Sequence, residues 1–250
     1  MSNKVSCSNV RALVLEEENP TNDVDAAEKR QDETDLSKLD MPPPLLALCQ
    51  FVQTQLKPIN ETMRVHIPKE VFGTNHDTYL LCEDILQFAS MIEIGSIVIA
   101  VYMRYLFDYL KMANMVNLVG LIDPRKHLKN ANGDLFYLVP YNLGSHWVLI
   151  IDIRNIVNIS IKIYNSHIGK QSSLKSAIWK NLHGTPRQPI NVECGYYVMR
   201  FMRDIIHDPG LAFEKKFDKK MEPVQYVQEH IDEVRLEWAE FINKQLHNNK

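Results

Sequence analysis

The stretch Gln188-Pro-Ile-Asn-Val-Glu-Cys194-Gly195-Tyr-Tyr-Val-Met-Arg-Phe-Met-Arg-Asp-Ile-Ile206 decides how the rest of the chain is read. After Cys194 the apolar residues Val198, Phe201, Met202, Ile205 and Ile206 recur at three-and-four spacing, which predicts an amphipathic helix, while Pro186 and Pro189 keep the approach extended. Cys194 therefore stands at a helix N-terminus. The unpaired backbone N–H groups there carry partial positive charge and favour the thiolate, the form that attacks carbonyl carbon, and Gly195 lets another backbone come close. A free cysteine is also often a small core residue, so this segment needs a base before it implies chemistry.

Working outward, Val and Ile recur over residues 136–141, 146–153 and 156–164, which predicts three strands, and the break at Arg154-Asn155 joins the last two as a hairpin. With the turn centred on Asn155 and Ile156, Val148 falls opposite Ile163 and His146 opposite Asn165. Directly opposed residues have Cβ atoms roughly 5 Å apart, close enough for an imidazole to hydrogen-bond a side-chain amide. Asp152 shares the face of His146 but lies roughly 20 Å along the strand, too far to orient it. His167 and His183 are competing bases with no partner that the pattern supplies. Gln188 can offer its amide to an oxyanion together with the backbone N–H of Cys194. Nucleophile, base, orienter and oxyanion donor are the four roles a cysteine peptidase requires.

The remaining residues bound the class. The chain of 250 residues is 45% hydrophobic, enough for one sizeable core, and its formal charge of -3 does not suit a dedicated nucleic-acid binder. Between Glu16 and Asp40 ten acidic residues face three basic ones, with few large apolar residues among them. Residues 1–40 are therefore expected to be a disordered acidic tail, and 41–74 a linker with a short helix opened by Pro42-Pro43-Pro44. A catalytic domain is expected over 75–250, with a helix from Ser96, a short helix around 173–182, and an amphipathic helix over 224–246 that docks Val227, Ile231, Val234, Trp238, Phe241 and Ile242. Cys7, Cys49, Cys82 and Cys194 form no close pair, so neither a zinc cluster nor a disulfide framework is expected, and no motif calls for a cofactor. The longest uncharged apolar run is half a membrane span, and no signal-peptide pattern opens the chain; the nucleus or cytoplasm is the expected compartment.

His146-Trp147 followed by two strands, then Tyr164-Asn165-Ser166, then Gln188-Pro189 leading to Cys194-Gly195-Tyr196-Tyr197-Val198-Met199, resembles the ubiquitin-like-protein-specific (SUMO-protease) cysteine peptidases, particularly plant copies associated with transposable elements. The resemblance extends more weakly over roughly residues 75–245. It implies an α+β, papain-like cysteine peptidase fold, with a central mostly antiparallel sheet flanked by helices. It also implies His146 as base, Asn165 as its orienter, Gln188 as oxyanion donor and Cys194 as nucleophile, with Trp147 and Gly195 lining a narrow tunnel for a Gly-Gly tail. The implied partners are a SUMO-like or other ubiquitin-like protein and its conjugates; the nucleus is favoured on this ground alone. Two departures stand out. Asn165 occupies the family's aspartate position, and residues 91–96 lack the tryptophan that grips substrate. A catalytically silent domain that binds a ubiquitin-like protein, and an acyltransferase on a similar Cys-His site, remain alternatives.

Overall fold

The computed structural model describes residues 11–15, 41–125, 136–142, 146–152, 178–181, 185–186, 188, 193–208 and 225–248. In chain order these form β1 (Arg11–Leu15), α1 (Pro43–Phe51), β2 (Met63–Ile67), α2 (Lys69–Phe72), β3 (His76–Leu80), α3 (Cys82–Ala89), α4 (Ser96–Met112), β4 (Val119–Leu121), β5 (Phe136–Asn142), β6 (Trp147–Asp152), β7 (Ile178–Asn181), α5 (Cys194–Ile206) and α6 (Gln228–Asn248). The class is α+β, as expected.

A five-stranded sheet runs in the order β4-β5-β6-β1-β7. Its centre is antiparallel, β5 with β6 and β6 with β1, and its flanks are parallel, β4 with β5 and β1 with β7. Trp147, Val148, Leu149 and Ile151 of β6 are all buried, the near-continuous apolar run of a strand covered on both faces. A separate pair, β2 with β3, alternates inside and outside along Met63–Ile67. Residues from Asp77 on read as helical from the sequence, yet Asp77 to Leu80 complete β3 because Thr78 and Leu80 point into the core on alternate positions.

The helices pack as one body. Val98, Ile99, Ala100, Val101, Tyr102 and Met103 of α4 are without exposed surface, so this helix is surrounded, and burial outweighs the weak helix propensity of its β-branched residues. Each such Leu, Ile or Val contributes about 1.5–3 kcal/mol relative to an exposed site. Trp238 of α6 stacks at a tilt on Phe88 of α3, with ring centroids 4.4 Å apart, and its indole donates to the Val98 carbonyl at 3.2 Å. Ile231, Val234, Phe241 and Ile242 dock as expected; Val227, 53% exposed, precedes the helix and does not.

Several boundaries need correction. Arg11–Leu15 lies inside the stretch read as tail but forms β1, because Ala12-Leu13-Val14-Leu15 is an apolar run that ends where the acidic residues start at Glu16. The rest of 1–40 lies outside the described residues. Residues 41–74 are not a linker: Leu45, Leu48, Cys49 and Val52 have no exposed surface and join the same core as α4 and α6. The prolines there open α1, where a missing N–H costs nothing, and the Pro44 carbonyl accepts from Asn243 of α6 at 3.1 Å. Ile178–Asn181, within the expected helix, is β7, whose pairing partner among the described residues, β1, was hidden in the supposed tail. Of the expected hairpin the described residues include only the first strand, β6, which pairs with β1 along Leu149 to Asp152 and with β5 on its other edge. Residues 156–164 lie outside the described residues.

Candidate active site

Cys194 is the first residue of α5, as the apolar spacing predicts, and is 1% exposed. Glu193 precedes it at the N-cap with no side-chain cap, so the first amides of the helix are left to the thiol. The backbone N–H groups of Trp147, Gly195 and Cys194 itself favour the thiolate and act to hold its pKa down. Burial is the larger effect and, with the negative charge of Glu93 adding to it, pushes the Cys194 thiol up overall. The backbone groups at the helix end favour the thiolate, as expected, and burial outweighs them. Burial likewise raises the neighbouring Glu193 carboxyl.

Trp147 is where β6 meets the first turn of α5. Trp147 opens β6, and His146, half-buried, is the residue before it. The Trp147 ring is itself buried, and its indole donates to the Ile94 carbonyl at 3.0 Å. Gly195 is required for close packing, as expected, but a side chain and not a backbone approaches it. A Cβ on Gly195 would lie 2.4 Å from Cγ1 and 2.7 Å from Cδ1 of Ile94, and 3.6 Å from Cδ1 of the Trp147 ring.

Gln188 is half-buried in the segment before α5 and makes interactions of its own. Asn165 lies outside the described residues, as do His167 and His183. Among the described residues, no group of three or more His, Cys, Asp or Glu is arranged to hold a metal ion, and no helix is long and apolar enough to cross a membrane.

Residues 161–250 match the family described as the Ulp1 protease family, C-terminal catalytic domain. The chain resembles the Ulp1 proteases. The matched segment contains Asn165, Gln188 and Cys194, while His146 and Trp147 precede it. A crystal structure of the de-sumoylating protease is similar with a TM-score of 0.51 at 14% identity, over 77% of this chain and 93% of that one, a likeness of fold. The C-terminal Ulp1 protease domain in complex with SMT3, the yeast ortholog of SUMO, matches with a TM-score of 0.48 at 14% identity, over 82% of this chain and 96% of that one. No curated protein matches. The SUMO-protease resemblance read from the residues is thus the resemblance found.

Three residues beside the Ulp1-like cysteine escape the sequence reading. Between α3 and α4, the charge of Glu93 acts on the thiol and the Ile94 side chain packs on Gly195. Tyr196, fully buried, sends its hydroxyl to the Phe88 and Ile92 carbonyls at 3.0 and 3.1 Å. The signal in hand was the break at Gly95-Ser96, which marks a turn entering a buried helix but not which helix it faces.

Proposed function

We propose that this chain is a cysteine peptidase that cleaves after the C-terminal Gly-Gly of a SUMO-like modifier, through a thioester on Cys194. The observation that carries the reading is Cys194 as the first residue of a helix without a side-chain cap, with Trp147, the residue after His146, packed against Gly195. The likeness to the Ulp1 protease family over residues 161–250 supports the substrate class.

In this reading His146 takes the thiol proton as sulfur attacks the glycine carbonyl, and the oxyanion receives hydrogen bonds from the Cys194 N–H and the Gln188 amide. The proton passes from His146 to the leaving amine as the C–N bond breaks. A water, losing a proton to His146, then attacks the thioester; the glycine carboxylate leaves and the thiol is restored. Trp147 and Gly195 flank the entering tail.

The raised thiol pKa sharpens the role of Asn165. A site resting as thiolate and imidazolium tolerates an amide orienter. A thiol that must lose its proton during attack depends on the histidine holding the correct tautomer, which a carboxylate enforces better. A silent, modifier-binding domain is therefore the second reading, favoured by the burial of Cys194.

The test is labelling by a SUMO tail that ends in a thiol-reactive group, applied to the parent, Cys194→Ala and Asn165→Asp. Labelling of the parent, abolished in Cys194→Ala and faster by at least about tenfold in Asn165→Asp, is expected. Reaction of Asn165→Asp alone would favour the silent domain, and no reaction with any modifier would end the peptidase reading.

A further inference from the structure

Helix α3 ends at Ala89, and its last carbonyls are taken by side chains from two other helices. Arg235 of α6, 2% exposed, donates to the Ala89 carbonyl at 2.6 Å. The Tyr196 hydroxyl, from α5, lies 3.0 Å from the Phe88 carbonyl oxygen and 3.1 Å from that of Ile92, and its ring stacks on Phe88 with centroids 5.3 Å apart. Beyond the helix the Ile92 N–H bonds back to the Gln87 carbonyl at 3.1 Å, which forces Met91 into the left-handed region at φ 56°. That geometry suits glycine and is unfavourable for methionine, so the turn needs support from outside itself.

Two donors supply it. Tyr196 holds the turn at Ile92, and the Trp147 indole holds it two residues later at the Ile94 carbonyl. Both donors flank Cys194 in sequence or in space: Tyr196 is two residues past it, and the Trp147 ring packs against Gly195, where an added Cβ would lie 3.6 Å from its Cδ1. Between the two ties the Ile94 side chain is seated on Gly195, and exposed Ile92 and Glu93 face outward. The tied turn stands against Gly195, the residue after the buried Cys194.

We propose that Tyr196 is a positioning residue whose hydroxyl pins residues 90–95 as a wall of the Cys194 pocket, holding the thiol closed to solvent and the wall in register for an extended substrate tail. The closing of the thiol stands on the geometry; the substrate half rests on the peptidase reading above.

Tyr196→Phe keeps the ring stack on Phe88 and removes only the hydroxyl. A lost hydrogen bond of ordinary strength corresponds to about fivefold in an opening equilibrium. In the full-length chain, amide exchange over residues 90–95 is expected to quicken about fivefold. Iodoacetamide should label Cys194, followed by mass spectrometry on its own peptide, faster by a similar factor. The SUMO-tail probe should move the other way, with half-saturation at about fivefold higher concentration and its maximal rate retained. A general loosening does not separate the two reagents in this manner. Trp147→Phe, which cuts the second tie, should repeat the pattern of exchange and iodoacetamide labelling and serves should Tyr196→Phe fold poorly. Unchanged exchange and alkylation in both variants would overturn the assignment, and so would exchange rising equally across α5 and α6. A parent that reacts with iodoacetamide but with no modifier probe would sink the peptidase reading, while exchange and alkylation still decide the pin.

Discussion

The two ends of α5 treat charge in opposite ways. At its N-terminus a single buried thiol meets backbone N–H groups, with Glu93 as the nearby charge that acts on it. At its C-terminal half Arg200 and Arg203 are laced to neighbours on every side. Arg200 pairs with Asp204 at 3.0 Å and with Glu233, and donates to the His230 carbonyl at 2.9 Å; Arg203 reaches Glu237 at 2.8 Å and Glu233 at 3.1 Å. Tyr102 of α4 and Tyr226 close the network by donating to Glu237 and Asp204 at 2.7 and 2.8 Å. One end is clamped by compensated charge between α4, α5 and α6, and the other presents uncommitted backbone dipoles to one sulfur. A helix held rigidly at its far end can aim its first turn without side chains that would compete for the sulfur.

The largest effect is expected where the clamp is cut. Arg200→Met retains the stem of a residue that is 8% exposed but leaves Asp204 without its ion pair and the His230 carbonyl without a donor. Removing one member of a buried, hydrogen-bonded pair costs roughly 3 kcal/mol or more. Urea unfolding should show that loss. Iodoacetamide labelling of Cys194 below the transition should stay within about twofold, since the donors at the sulfur are backbone groups. A loss under about 1 kcal/mol would mean that the clamp holds little.

His207 sharpens the same contrast through pH. It follows α5 and stacks on Tyr109 with centroids 3.9 Å apart and planes 8° from parallel. Burial, then the positive charge of Arg203, holds its pKa below the ordinary value of 6.5, against the opposing pull of Glu237 and Asp204. The unfolded chain therefore binds this proton more readily than the folded one. The associated stability is complete above about pH 6.5 and is lost as pH falls from there through the depressed folded pKa. The slope cannot exceed one proton, about 1.4 kcal/mol per pH unit. His207→Phe keeps the stack and removes the titration, so its stability between pH 6.5 and 5 should fall less steeply than the parent's; parallel curves would show that His207 is not the group responsible.

What could be read in advance follows contact distance along the chain. Helices α4, α5 and α6 were legible because their apolar residues repeat locally, and the place of Cys194 at the head of α5 because the apolar spacing begins just after it. Strand β1 was not legible. Five residues carry too short a pattern, and both its partners, β6 and β7, lie more than a hundred residues away. The prolines before α1 were ambiguous for the same reason: they suit a linker and a first helical turn equally, and the distant Leu45, Leu48 and Trp238 core decides. Around the thiol, Tyr196 looked like one more apolar residue of the helix. Its hydroxyl bonds span more than a hundred residues of sequence. For Cys194 the helix position is visible in sequence, and the depth of burial, which sets the direction of its shift, is not.

The smallest effect belongs to Glu93, and it tests the bare end of the helix most directly. Its carboxylate raises the Cys194 pKa because a negative charge disfavours a second one beside it; Glu93→Gln removes the charge and keeps the shape. The pH profile of iodoacetamide labelling at Cys194 should therefore shift downward in the variant, with more thiolate at any given pH. Glu93 is exposed, so water and ions screen it: the shift should be measurable at low salt and should shrink as ionic strength rises. Burial, the larger cause, is untouched, so the profile should remain above that of an unperturbed thiol under every salt condition. A profile identical to the parent's at low salt would mean that Glu93 does not act on the sulfur. A profile falling to that of a free thiol would mean that charge, and not desolvation, sets the reactivity of Cys194. The contrast between the two ends of α5 would then have to be drawn in terms of one carboxylate.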